Sequence, residues 1–587
     1  MPVPGPLPGR PPAPVPDRPP DASPDPSPGP SPDASPAPAP RSPSRSPSRS
    51  LTAALPAALA LALGLWGITR RGSLWRDEAA TWQVAHRSLT ELARMLGEVD
   101  LVHGLYYALV HGVFAVAGDS LTALRLPSVL AMTVAAALTA DLGARLAGRW
   151  AGLGAGLTVA LLPPMQQYAQ EGRPYALVTA AVALATRLLV AGLDRPRARA
   201  LWAGYAGAVL AGALLNWFSL PVLLAHAVTL VTVRPPRAVT LRWLLAAGAA
   251  VLGAGPLVWA SRSQSGQVSW IRPVDGLTLA GVAAGLLLVA GCAVLPRARR
   301  PCPGRVGGTG GAAGRRPSLA AVAVPLGAVP QLALLAASFA VQPLYLTRYV
   351  LYAGLGTALM AGALLAELAA RSRVRPGAYL GVATVLVFLA LLPVELRLRG
   401  AEGRVDDVRA AAASVAAVRG AGGGVLFVPA ARRDTALTTP DAFRGLRDLA
   451  LGRGPVESGT LHGIEAGPRD VARAMRCERR VVLVADDVGV GLGAGAGARA
   501  GASAGVGAGS GAGAGVGAGS GAGARVPGNS RDRVKLRLLE EEFIVRHTAV
   551  GGGRSVTVYE RPGAVGPSCR TPAPGAVSPA VRPPAGP

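Results

Sequence analysis

Two adjacent acids, Asp77 and Glu78, lie in the segment Leu74-Trp75-Arg76-Asp77-Glu78-Ala79-Ala80-Thr81-Trp82, directly after the first long apolar stretch of the chain. Tryptophans flank them, as they do at membrane–water interfaces. Asp100, His103 and Tyr106-Tyr107 follow in Asp-Leu-Val-His-Gly-Leu-Tyr-Tyr, then Glu171, Arg173 and Tyr175 in Tyr-Ala-Gln-Glu-Gly-Arg-Pro-Tyr, and much later Arg348-Tyr349. Carboxylates and histidine can carry protons at a reacting centre, and the arginine fork can hold an anion through paired N–H donors. Charge at a bilayer boundary is costly unless paired or hydrated, so these residues are functional candidates. Each has a plainer reading. Asp77 and Glu78 can pair with Arg76, Asp100 and Glu171 with nearby arginines, Arg173 and Arg348 can anchor at head groups, and His103 can simply pack in a loop.

These candidates need a membrane to sit on, and the composition supplies one. Half of the 587 residues are hydrophobic and only 16% are charged, below the roughly 25% usual for soluble domains. Apolar runs long enough to cross a ~30 Å hydrocarbon layer recur through residues 51–399. The net charge of +26 comes almost wholly from arginine, with Lys535 the single lysine. The arginines cluster in short loops between apolar runs, which fits the positive-inside rule and not nucleic-acid binding. The Arg, Ala, Gly and Pro excess fits a GC-rich bacterial coding sequence and a multi-pass plasma-membrane protein.

Basic loops at 194–199, 234–242, 297–316 and 371–375 read as cytoplasmic. Parity is satisfied by about eleven spans if the short run 104–117 lies at the interface. That arrangement puts the N-terminus inside, a first loop of residues 69–119 outside, and everything after residue 399 outside. Residues 1–50 and 561–587 are Pro-rich tails with little to bury, and 490–525 is a Gly/Ala/Ser insert; all three read as disordered or flexible. Four cysteines, at 292, 302, 477 and 569, show no metal spacing, although a Cys477–Cys569 bridge outside the cell is conceivable.

The remainder, 400–489 with 526–560, changes character. Val405–Arg419 reads as a helix with Asp406 and Asp407 in its first turn. Short strands are expected at Val425–Val428 and Val481–Val484, and a hairpin across Gly551-Gly552-Gly553, giving a small α/β domain with a mostly parallel sheet. Asp486 and Asp487, at a strand end, occupy a place where open sheets bind ligands.

Read in order, four elements over residues 51–397 resemble the GT-C superfamily of glycosyltransferases, in its protein O-mannosyltransferase-like branch. They are an Asp-Glu pair after the first span, an Asp/His/Tyr-Tyr element, an acid-x-Arg-Pro-Tyr element, and an Arg-Tyr pair opening a late span. The resemblance implies a mainly α, polytopic membrane bundle and a donor sugar carried on a polyprenyl phosphate. It implies an acceptor hydroxyl outside the cytoplasm, on protein, lipid or glycan, and transfer by one inverting displacement. On that basis Asp77 is the base, and Glu78 orients it or binds the acceptor. Arg173 and Arg348 hold the donor phosphate. Asp100 and Glu171 line the sugar or bind a divalent cation, and His103 and Tyr175 help position the sugar or acceptor. No metal or further cofactor is expected to be required. Mannose is the first expectation for the sugar, with arabinose or another sugar the alternative. A transporter is disfavoured because paired broken helices and internal repeats are missing from the sequence pattern.

Overall fold

The computed structural model describes residues 49–268, 271–294, 317–400, 403–420, 422–487 and 529–562. Residues 1–48, the 297–316 loop, the Gly/Ala insert, residues 563–587 and Cys569 lie outside the described residues.

The chain opens with α1 (Arg49–Leu65), then α2 (Arg76–Ala85), α3 (Leu89–Glu98) and α4 (Gly104–Ala117) within the first loop. Helices α5 (Leu121–Ala147), α6 (Arg149–Leu161), α7 (Pro163–Ala169), α8 (Tyr175–Asp194), α9 (Arg199–Leu215), α10 (Val222–Val233) and α11 (Arg237–Ser261) follow. The bundle continues with α12 (Gly276–Val294), α13 (Leu319–Ala340), α14 (Gly354–Arg371) and α15 (Pro376–Arg399). Local chemistry sets several boundaries. Ser88 and Glu91 form a reciprocal capping box at the start of α3, and Ser120 and Ser318 cap α5 and α13.

Among the described residues, seven helical segments are long and apolar enough to cross a bilayer: Ser50–Gly72, Leu121–Ala147, Tyr175–Asp194, Arg237–Gly266, Leu319–Ala340, Thr347–Arg371 and Pro376–Arg399. The sequence reading expected about eleven crossings. The other four fall on α6, α9, α10 and α12, which do not reach that length among the described residues. At α6 the cause is local: Pro163 and Pro164 lack N–H donors, so the helix stops at Leu161 and α7 starts afresh with proline in its first turn. Residues 104–117 form a helix packed against α2 and α5.

Small residues let the bundle close. A Cβ added to Gly152 on α6 would lie 2.3 Å from the Ala140 carbonyl oxygen of α5, and one added to Gly362 on α14 would lie 2.3 Å from the Ala155 nitrogen of α6. The backbones touch, which is how apolar helices gain contact energy where water cannot drive them together. A buried polar chain ties α8 through α11. Trp243 Nε1–H donates to the Tyr205 hydroxyl (2.9 Å), Tyr205 donates to His226 Nδ1 (2.9 Å), His226 Nε2–H donates to Thr186 (3.0 Å), and Thr186 donates to the Val182 carbonyl (2.8 Å). Every donor finds an acceptor, so His226 is held neutral as a structural link.

Beyond the bundle, α16 (Val408–Val418) starts later than expected: Asp407 is its N-cap, not part of its first turn, and accepts from the Arg409 and Ala410 amides. The strands β1 (Gly423–Val428), β2 (Leu446–Asp448), β3 (Leu451–Arg453), β4 (Ile464–Glu465), β5 (Arg480–Asp486), β6 (Ile544–Gly551) and β7 (Arg554–Glu560) follow, with short α17 (Asp434–Thr438), then α18 (Pro468–Arg476) and α19 (Ser530–Glu542) between them. The main sheet runs β2-β1-β5-β7-β6. It is mixed: β1 pairs parallel with β2 and β5, whereas β7 pairs antiparallel with β5 and β6. The expectation of a mostly parallel sheet fails because the terminal hairpin, turning at Gly552-Gly553, lays β7 beside the central strand. Alternate side chains of β1 and β5 fill separate cores on the two faces, one with α18 and α19, the other with α16.

Candidate active site

Helix α2 begins immediately after the extended Trp75, so Asp77 and Glu78 both occupy its first turn, where the helix dipole favours negative charge. Adjacent residues on a helix point about 100° apart, and the two acids meet opposite environments. The Asp77 side chain stays 21% exposed and faces Arg348, with Nη1 to Oδ2 at 3.5 Å. Glu78 turns inward to zero exposure.

There Arg125, from the buried start of α5, grips Glu78 with Nε to Oε1 at 2.7 Å and Nη2 to Oε2 at 2.6 Å. The same guanidinium donates to the carbonyls of Ile68 and Ser73, both at 2.7 Å, and the Gly172 amide donates to Glu78 at 2.9 Å. Burial opposes ionisation of Glu78, but Arg125, Arg70 and these hydrogen bonds outweigh it and hold its carboxyl down at about 2. Glu78 therefore has no face left for an acceptor. It locks α2 to α5 and to the 170–174 loop.

The second cluster comes from the loop before α4 and the loop before α8. Asp100 takes a left-handed conformation (φ 61°) that short polar side chains tolerate. Its carboxylate meets His103 Nδ1 at 2.6 Å and accepts from the Tyr107 hydroxyl. On the other side of the ring, Arg173 Nη2 lies 3.1 Å from His103 Nε2, and Nη1 donates to Tyr107 at 3.4 Å. Arginine only donates, so Nε2 is the acceptor and the proton sits on Nδ1, pointing at Asp100. Burial and the adjacent Arg173 push His103 below its usual range, and the neutral ring follows. Burial works against the Asp100 charge, yet His103, Arg173 and Tyr107 hold its carboxyl well below the ordinary range. Arg173 Nε has no hydrogen-bond partner among the described residues.

Glu171 is also buried. Burial pushes its carboxyl up, Arg404 counters from 3.3 Å, and neither carboxylate oxygen has a hydrogen bond among the described residues. Tyr175 and Arg348 close the site from α8 and the turn before α14. The Arg348 guanidinium lies 5.8 Å from the ring centres of Tyr175 and Tyr349, and Tyr349 stacks on Phe218 at 4.6 Å. Asp77, Asp100, His103, Arg173, Tyr175 and Arg348, from four stretches of sequence, thus share one neighbourhood. The Asp77 charge acts on His103, Arg173, Tyr175 and Arg348 alike. The Asp77 charge reaches Glu171 as well, whose near partner is Arg404. Among the described residues, no group of three or more His, Cys, Asp or Glu side chains is arranged to hold a metal ion.

Some of the supporting residues escaped the sequence reading. Arg125 stands in an apolar run with no motif to mark it. Arg404 and Asp406 carried no local motif; Glu171 and Arg76, which they meet, lie more than 200 positions away.

The fold is a multi-pass membrane bundle followed by a small α/β domain. The family model for dolichyl-phosphate-mannose-protein mannosyltransferases matches residues 105–259. Two crystal structures of ArnT from Cupriavidus metallidurans share the fold with a TM-score of 0.50 at 14% identity. One is the apo state, covering 87% of this chain and 98% of that one, and the other is bound to undecaprenyl phosphate, covering 86% and 97%. No curated protein matches by sequence. The chain has the fold of these ArnT structures.

Proposed function

We propose that the protein is a glycosyltransferase that moves a hexose, mannose being the first candidate, from a polyprenyl-phosphate donor to a hydroxyl acceptor outside the cytoplasm. The observation that carries this reading is the Asp77–Arg348 pair at 3.5 Å, at the edge of a membrane bundle and still partly open. The mannosyltransferase family match and the likeness to a structure bound to undecaprenyl phosphate support the donor class.

In this reading the acceptor O–H lies against Asp77. The carboxylate takes the proton as the oxygen bonds to the anomeric carbon. The bond from that carbon to the phosphate oxygen breaks on the opposite face, and the sugar inverts. The lipid phosphate leaves with the electron pair as an anion, held by Arg348 and Arg173. A phosphate that engages Arg348 releases Asp77 from its ion pair as the acceptor arrives. His103, fixed by Asp100, aims Arg173, and Glu78 holds the turn that carries Asp77. General-base assistance is worth about 10²- to 10⁴-fold, and reacting atoms must be held about 3–3.5 Å apart.

The test uses purified protein in lipid nanodiscs with radiolabelled polyprenyl-phospho-sugars. Label is expected to move from the mannosyl donor, with Asp77→Asn reducing turnover at least 10²-fold while yield and melting temperature stay unchanged. Wild-type turnover by the Asn variant removes the base. Movement of label only from another donor, such as a pentosyl one, keeps the class and replaces the sugar.

A further inference from the structure

Helix α2 lacks a cap of its own, because Trp75 offers its N-terminus no side-chain acceptor. An acceptor instead arrives from a residue 330 positions away. Asp406 Oδ1 accepts the Arg76 amide at 3.1 Å, and Oδ2 lies 3.2 Å from Arg76 Nε. One buried carboxylate therefore grips the main chain and the side chain of the residue immediately before Asp77. It is itself fixed from behind: Arg554 Nη2 donates to Asp406 Oδ2 at 2.9 Å, and Arg554 also makes a fork to Asp434, at 2.5 and 2.8 Å, and a bond to Thr435 at 2.6 Å.

A main-chain clasp runs alongside. The Val408 amide donates to the Leu74 carbonyl at 2.7 Å, the Leu74 amide donates to Asp407 Oδ1 at 3.3 Å, and the Asp407 amide donates to the Gly552 carbonyl at 2.7 Å. The hairpin turn fits against this segment only without a side chain. Gly553 has φ +70°, and a Cβ there would lie 2.3 Å from the Val405 carbonyl oxygen.

We infer that Asp406 and Arg554 are positioning residues for the proposed base: the C-terminal domain supplies the missing cap of α2 and so aims Asp77. The inference rests on the proposed role of Asp77. It gives the domain a part in turnover without contact with substrate.

The experiment measures kcat and KM for labelled polyprenyl-phospho-mannose, together with amide hydrogen exchange of α2, in the full chain in nanodiscs. Asp406→Ala is expected to lower kcat about 10- to 100-fold with donor KM changed by less than about threefold. Exchange of the first α2 amides should quicken about fivefold through loss of the cap. Asp406→Asn keeps the Oδ1 acceptor and should recover much of both effects. Arg554→Met, which leaves Asp406 in place without its support, should give a smaller loss of kcat, and it carries the test if Asp406→Ala does not fold. Unchanged kcat in a folded Asp406→Ala protein overturns the inference, as does quickened exchange confined to the C-terminal domain. Asp77→Asn is assayed in parallel. If that variant stays active, the base assignment falls, while the α2 exchange still decides whether the domain orders the turn.

Discussion

Glu78 and Asp77 differ by one position and by almost everything else. Glu78 forms a fork with Arg125 at zero exposure, and removing one member of a buried pair costs about 3–5 kcal/mol because the other charge is stranded. Glu78→Gln is expected to lower the melting temperature sharply at pH 7, read by thermal unfolding in nanodiscs. The sign with pH follows from the shift. The Glu78 carboxyl is depressed from 4.5 to about 2, so its stabilisation is present above about 4.5 and is lost as the pH falls from there towards 2. The wild type should lose stability across that window, and Glu78→Gln should show a flatter response. Arg173 offers a second comparison. Its fork spans His103 and Tyr107, a geometry that lysine cannot copy. Arg173→Lys should raise donor KM about tenfold or more, with less effect on melting temperature. A change in melting temperature alone would assign Arg173 to structure. Of these residues, every candidate was visible in the sequence as an odd polar residue near an apolar run. Which of the two adjacent acids stays open and which is buried was not, because that depends on where Arg125 and Arg348 arrive.

The helices were legible because apolar runs of the right length have few alternatives in a bilayer. Their ends were less so. Pro163-Pro164 cut one expected span into α6 and α7, a local effect that the apolar average conceals. The hairpin at Gly552-Gly553 was legible from its glycines, but its antiparallel place beside β5 was not, since strand order is a long-range choice. Helix contact is equally hidden. Gly362 reads as one small residue among many, yet its Cα faces the α6 backbone. Gly362→Leu is expected to separate α6 from α14 and to reduce yield and melting temperature strongly, whereas Gly248→Leu, with open space around the Cα, should leave both nearly unchanged. Detergent thermal-shift measurements compare the two directly.

At the scale of the whole molecule, the seven long apolar segments make this a multi-pass membrane protein, and the placement of basic loops predicts its orientation. Single cysteines introduced at Thr69 and at Arg195, in a cysteine-free background, should react with an impermeant maleimide in opposite senses: Thr69 in intact cells, Arg195 only after permeabilisation. Labelling of Arg195→Cys in intact cells would invert the topology and move the Asp77 site to the cytoplasmic face.

The sequence by itself determined the membrane class, the mainly α architecture, the appended α/β domain and the set of candidate residues, since hydropathy, charge placement and short motifs are local properties that each segment carries alone. The tertiary structure decided which acid is buried, which tautomer His103 adopts, and that a carboxylate from beyond the last span caps the helix bearing Asp77. Those outcomes depend on distances between residues tens to hundreds of positions apart, and only the folded chain sets such distances.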